Sequence, residues 1–179
     1  GSATPEARRV RGLFGDGACA YVLTRHAAGE GNDALCLGEF IWGCAGSYAS
    51  SLQLALRSEG ALDVQFRGEQ LGSAAVGQLG RVLRDLEMLS GRKLGDVRFF
   101  AIHEPNPRLV EILAAKAGIP LEKLPMASRT CGNLGSVSCG VGLCMALDRV
   151  PSRSSADPPP AIFLAAVGPG LLWAGTYLS

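Results

Sequence analysis

The sequence predicts a layered α/β domain built on a mixed sheet, and three observations carry that reading. Apolar runs of strand length occupy residues 97–102, 161–167 and 171–178, the pattern of strands covered on both faces. Segments of helical period, residues 70–89 and 108–117, fall between strand candidates. Gly168-Pro169-Gly170 separates the last two runs, a hairpin signal. Strands interleaved with helices and closed by a hairpin give a mixed sheet. The 179 residues contain no internal repeat and no dividing linker, and they suffice for one domain with a full core. That domain is expected over residues 12–179. Residues 1–11 read as a tag remnant (Gly1-Ser2) and a connecting segment.

Each element has its own warrant. Residues 12–24 open on glycines and become a continuous apolar run, expected to be a strand buried on both faces. Residues 35–42 read as a second strand and 63–67 as a short third. Residues 43–60 stay ambiguous, although Leu52, Leu54 and Leu56 alternate and permit a strand. Over residues 70–89, Leu71, Val76, Leu79, Val82, Leu83 and Leu86 make one apolar stripe, with Arg81, Arg84, Asp85 and Glu87 outside it, so a helix is expected, closed by Gly91. Residues 97–102 are a β-rich run ending on His103. After Pro105 and Pro107 a helix runs over residues 108–117 and stops at Gly118 and Pro120. Residues 130–135 read as a loop. Residues 136–147 have no charged side chain, so that helix should be buried on every side. Residues 151–160, rich in Pro and Ser, read as a surface loop.

Composition narrows the function. Hydrophobic residues are 47% but aromatics only 6%, and charged residues are 18% against roughly 25% in an ordinary soluble domain. Some apolar surface is therefore expected to be covered by a partner. A net charge of +1 with no basic run interleaved with aromatics gives no nucleic-acid footprint. Arg8, Arg9 and Arg11 read as a solvated edge. No stretch has the length of a membrane span, and no signal peptide opens the chain. The six cysteines, Cys19, Cys36, Cys44, Cys131, Cys139 and Cys144, include no C-x-x-C pair, and with two histidines they make no zinc spacing. Cys19, Cys131, Cys139 and Cys144 lie in apolar segments and read as small buried thiols of a reducing cytoplasm. No metal and no cofactor are expected.

Few residues can carry chemistry. His26 sits in a turn-like stretch and reads as solvated. His103 ends a buried strand, where α/β sheets form ligand crevices. Asn133, flanked by glycines, either donates into that crevice or caps the following helix. Gly168 and Gly170 either bring backbone near a ligand or make a tight turn.

The order of these features resembles the C-terminal half of β-ketoacyl-acyl-carrier-protein synthase III and of its chalcone synthase-like type III polyketide synthase relatives. Leu13-Phe14-Gly15-Asp16-Gly17-Ala18 matches an L-F-G-D-G-A segment common to both. His103-Glu104-Pro105-Asn106-Pro107-Arg108 resembles the H-Q-A-N-x-R segment with the active-site histidine. Gly132-Asn133 matches the G-N of the active-site asparagine, and Gly168-Pro169-Gly170 is similar to the G-x-G-P-G loop. The departures are Glu104, Pro105 and Pro107, and Gly135-Ser136-Val137-Ser138 where N-T-S-A-A-S is usual.

The resemblance implies a thiolase-like αβα half, the second of an αβαβα fold, with residues 136–147 as one of two central helices. It implies His103 and Asn133 as catalytic groups in decarboxylative Claisen condensation of an acyl thioester with a malonyl thioester, the Cys nucleophile lying in the first half. Gly168, Gly170 and Asn106 become substrate-binding positions. Arg108 and Lys116 either dock an acidic carrier protein or form a solvated helix face. Implied partners are the N-terminal half, acyl carrier protein or coenzyme A thioesters, and a second copy of the complete enzyme, in the cytoplasm. Two alternatives stay open: acyl transfer to a hydroxyl or amine with the His as base, and a non-catalytic subunit, against which the presence of both His103 and Asn133 argues.

Overall fold

The computed structural model describes residues 12–25, 35–56, 62–150 and 159–179. The expectations for residues 1–11, for His26 and for all but the end of the 151–160 loop lie outside them. The described elements are β1 (Ile41–Cys44), β2 (Leu52–Leu56), β3 (Leu62–Phe66), α1 (Gly68–Ser90), β4 (Phe99–Ile102), α2 (Pro107–Ala117), α3 (Ser128–Cys131), α4 (Ser138–Leu147), β5 (Ile162–Gly168) and β6 (Leu172–Leu178), with short 3-10 turns between some of them.

The main sheet runs β1-β6-β5-β4. β4 and β5 are parallel, with Phe99 opposite Ile162 and Ile102 opposite Ala165. β6 returns antiparallel along β5, and β1 pairs antiparallel with β6. The mixed sheet and closing hairpin are therefore as the sequence implies. β2 and β3 form a separate antiparallel pair.

All four residues of β4 are buried because helices cover both faces of the sheet. Phe100 and Ile102 pack with Val76, Leu79, Val82, Leu83 and Leu86 of α1 and with Val110 and Leu113 of α2. Phe99 and Ala101 face the other way, onto Leu143 and Ala146 of α4. Alternation along one strand thus feeds two apolar layers, which makes the unit αβα. Phe100 and Phe163 meet edge to face, with ring centroids 5.9 Å apart. The two long helices are bounded as their sequence dictates. Gly91 and Gly118 close them in left-handed backbone at φ 67° and 66°. Asn106 opens α2 by accepting the Leu109 N–H at 3.0 Å, with Pro107 in the first turn.

Five expectations are corrected. Residues 15–25 form no strand; Phe14 makes only an isolated parallel bridge to Asn133, and Tyr21, Val22 and Leu23 are exposed. A strand needs a neighbour, and among the described residues no strand lies beside this one. The second strand begins at Ile41; residues 36–38 instead follow the end of β6 irregularly, with Gly38 N–H donating to Tyr177 at 2.8 Å. Residues 130 and 131 belong to the short helix α3 rather than to a loop. The charge-free helix is not buried all round. Gly140, Gly142, Leu143 and Ala146 are buried, while Cys144 and Leu147 are exposed, because the sheet covers only one side. The cysteines follow suit: Cys19, Cys131 and Cys144 are exposed and Cys139 is half-buried, so the expectation of buried thiols fails.

Candidate active site

His103 is the first residue beyond β4, and its N–H extends the β4–β5 ladder by donating to Ala165 at 2.8 Å. The backbone is thereby fixed, and the half-buried side chain turns to the loop before α4. There Nδ1 lies 3.1 Å from the Gly135 carbonyl oxygen. A carbonyl only accepts, so Nδ1 carries the hydrogen, and the neutral ring keeps a lone pair at Nε2. Burial lowers the His103 pKa below its ordinary value, and the Gly135 carbonyl opposes part of that.

Asn133 is held on both sides. Its N–H donates to Leu13 at 2.9 Å, and its carbonyl accepts the Gly15 N–H at 3.0 Å. Gly132 and Gly135, at φ 72° and 58°, turn the chain sharply around it, a conformation that costs glycine little. Asn133 Oδ1 accepts the Gly135 N–H at 2.8 Å. The amide that remains for a ligand is therefore Nδ2, a donor.

His103 and Asn133 line one apolar cavity of about 720 Å3, together with Asn106 and Gly168. Its walls include Trp42, Leu71, Leu109, Leu172 and Trp173, with Gly72 and Ala75 of α1 among the small lining residues. Asn106 spends its Oδ1 on the α2 cap. Gly170, in left-handed backbone at φ 71°, is not a lining residue, and Pro169 beside it has no N–H to offer. Arg108 and Lys116 are exposed on α2 and take no part in the lining.

Two residues at the site escaped the sequence reading. Glu104 is only 3% exposed, and its carboxylate accepts the N–H groups of Ala127 at 3.3 Å and Ser128 at 2.8 Å. The signal was a carboxylate two residues past the end of an apolar strand. Cys139 lines the cavity, and its thiol donates to the Ala165 carbonyl at 3.4 Å. Burial, then Glu104, then Cys19 push that thiol up to about 12, so it stays protonated. Among the described residues no cluster of His, Cys, Asp or Glu can hold a metal, and no helix is long and apolar enough to cross a membrane.

This three-layer αβα unit shares the thiolase-like fold of the solved structures that it resembles. Residues 89–179 match the model of the 3-oxoacyl-[acyl-carrier-protein] synthase III C-terminal domain, and the chain belongs to that family. It is 28% identical to the β-ketoacyl-[acyl-carrier-protein] synthase III of Aquifex aeolicus over 93% of this chain and 50% of that relative. It is 27% identical to synthase III 3 of Streptomyces coelicolor over 98% of this chain and 53% of that relative. The chain thus spans about half the length of the curated relatives it matches. In structure it resembles 3-oxoacyl-(acyl carrier protein) synthase III of Pseudomonas aeruginosa PAO1, with a TM-score of 0.76 at 22% identity, covering 98% of this chain and 53% of that one. A priming β-ketosynthase from the R1128 polyketide pathway superposes with a TM-score of 0.66 at 22% identity, covering 79% of this chain and 44% of that one.

Proposed function

We propose that this chain supplies the second half of an acyltransferase that condenses an acyl thioester with a malonyl thioester, with His103 and Asn133 as its catalytic groups. The observation that carries the reading is the convergence of both side chains on one apolar cavity, one as a standing donor. Loss of carbon dioxide leaves an electron pair on the malonyl thioester as an enolate, whose oxygen needs donors. Asn133 Nδ2–H is fixed for that task because Oδ1 is already engaged. The neutral His103 ring keeps a lone pair at Nε2, so it donates to that oxygen after taking up a proton from solvent, which the developing negative charge favours and burial opposes. Preorganised donors of this kind are worth ~3 kcal/mol each. Gly168 and Asn106 are assigned to substrate contact. Gly170, in left-handed backbone, turns the chain between Gly168 and β6, and Arg108 and Lys116 are the carrier-protein docking positions.

The Cys nucleophile belongs to the first half, which is also the partner for the apolar surface of residues 21–23, Trp42 and the outer side of α4. The acyl donors are carrier-protein or coenzyme A thioesters, and the complete enzyme is a cytoplasmic homodimer. A second reading draws on the His103 tautomer. With Nδ1–H given to Gly135, the neutral ring presents a lone pair, suited to a base that deprotonates a hydroxyl or amine acceptor. Release of carbon dioxide from a malonyl thioester separates the two readings. In the complete enzyme, His103→Ala and Asn133→Ala should each abolish that release while acyl loading on the partner cysteine persists. Either variant decarboxylating at the wild-type rate refutes the role assignment.

A further inference from the structure

We propose that Glu104 is a positioning residue that sets the separation of His103 and Asn133, an inference resting on the assignment of those two as the catalytic pair. His103 and Asn133 are 30 positions apart and come from different elements, so something must fix their spacing. Beside the Leu13 and Gly15 backbone bonds to Asn133, three side-chain tethers do so. On its N-terminal side, the Glu104 carboxylate holds the Ala127 and Ser128 N–H groups, where α3 begins. On its C-terminal side, His103 Nδ1–H holds the Gly135 carbonyl. Within the loop, Asn133 Oδ1 holds the Gly135 N–H. Glu104 and His103 are neighbours on one strand end, so two consecutive side chains hold both ends of the 127–135 segment, while the Leu13 and Gly15 backbone bonds hold Asn133 between them.

Glu104 suits this use better than a neutral residue would. Both N–H groups it binds are buried with it, and a carboxylate accepts from both at once, with nothing left to donate. Glutamine there accepts one and brings a donor that needs a partner. The charge of Glu104 also reaches the cavity, since it contributes to holding the Cys139 thiol protonated. A chain whose only demand at this position was packing would bury an apolar side chain instead, because an unpaired buried carboxylate is costly.

The test uses the complete enzyme with Glu104→Gln, which keeps one acceptor, and Glu104→Met, which keeps none. Two-bond proton–nitrogen NMR spectra of labelled histidine, with His103 assigned by its loss in His103→Ala, read the tautomer directly. Wild type should show the proton on Nδ1. Glu104→Gln should show His103 nitrogen signals shifted from wild type as the Gly135 bond loosens, and kcat should fall on the order of 100-fold with KM little changed, the penalty of a displaced catalytic group. Glu104→Met should be worse on both counts, and if it does not fold, the glutamine variant alone decides. An unchanged His103 spectrum with wild-type kcat in Glu104→Gln, even at a lowered melting temperature, overturns the proposal and leaves Glu104 a stabilising residue only. Wild-type turnover by His103→Ala would instead sink the catalytic assignment, while the spectrum still reports whether Glu104 fixes the loop that the ring bonds.

Discussion

Replacing Gly15 with alanine should disable the site without touching any residue that lines it on the Asn133 side. Gly15 crosses directly over the end of α3. A Cβ placed there overlaps the carbonyl oxygen of Cys131 and lies 2.9 Å from its carbon, against a normal contact of ~3.5 Å. Both atoms are backbone, so no rotamer relieves the clash, and the crossing segments must separate by roughly 1.5–2 Å to restore ordinary contact. That separation breaks the two bonds that fix Asn133, its N–H to Leu13 and its carbonyl to the Gly15 N–H. At about 0.5–1.5 kcal/mol each, the loss is roughly 1–3 kcal/mol of docking energy. The functional loss is larger, on the order of 100-fold in rate, because the amide is carried away from the reacting oxygen. Gly17→Ala is the control: its Cβ meets side chains alone, Leu134 at 3.2 Å and Val137 at 3.5 Å, and these can adjust. The assay is malonyl thioester decarboxylation by the complete enzyme alongside a thermal melt. Wild-type rate and melting temperature in Gly15→Ala would refute the crossing and the reasoning built on it.

Acid should weaken the fold through His103. Its folded pKa is below 6.5, so its contribution is whole above 6.5 and is lost as pH falls through the lowered value; urea titrations at stepped pH should show stability rising with pH across that window. Iodoacetamide at pH 8 should label Cys131 and Cys144, which are exposed, and spare Cys139, held near 12; peptide mass spectrometry reads this, and fast labelling of Cys139 would contradict its assigned environment. After incubation with an acyl donor, no cysteine of this chain should carry the acyl group, and an acyl thioester on Cys131 or Cys139 would count against a nucleophile in the first half. The isolated chain should self-associate or bind an apolar dye, since Val22, Leu23 and Trp42 are 91%, 74% and 79% exposed and patches of several hundred Å2 mark interfaces; a dye-silent monomer on sedimentation would argue the opposite.

What the sequence determined by itself is everything whose cause is local. The stripe from Leu71 to Leu86, the Asn106 cap with Pro107, and the glycines after each helix placed α1 and α2 within a few residues. Gly168-Pro169-Gly170 set the closing hairpin, and the run from Val97 delivered His103 to a strand end. The resemblance of short segments to a known family named His103 and Asn133 together, and the fold brings both to one cavity. Tertiary structure alone decided the rest. An apolar run states that a segment needs cover but not what supplies it, so residues 12–24 looked like a buried strand and lie largely exposed, and Cys144 and Leu147 face outward from a charge-free helix. The tautomer of His103 depends on a carbonyl 32 residues away, and the burial of Glu104 on two N–H groups 23 and 24 residues away. Those distances are closed only when β4, β5 and α4 pack, because hydrogen bonds between such remote groups leave no period or spacing for a sequence to record.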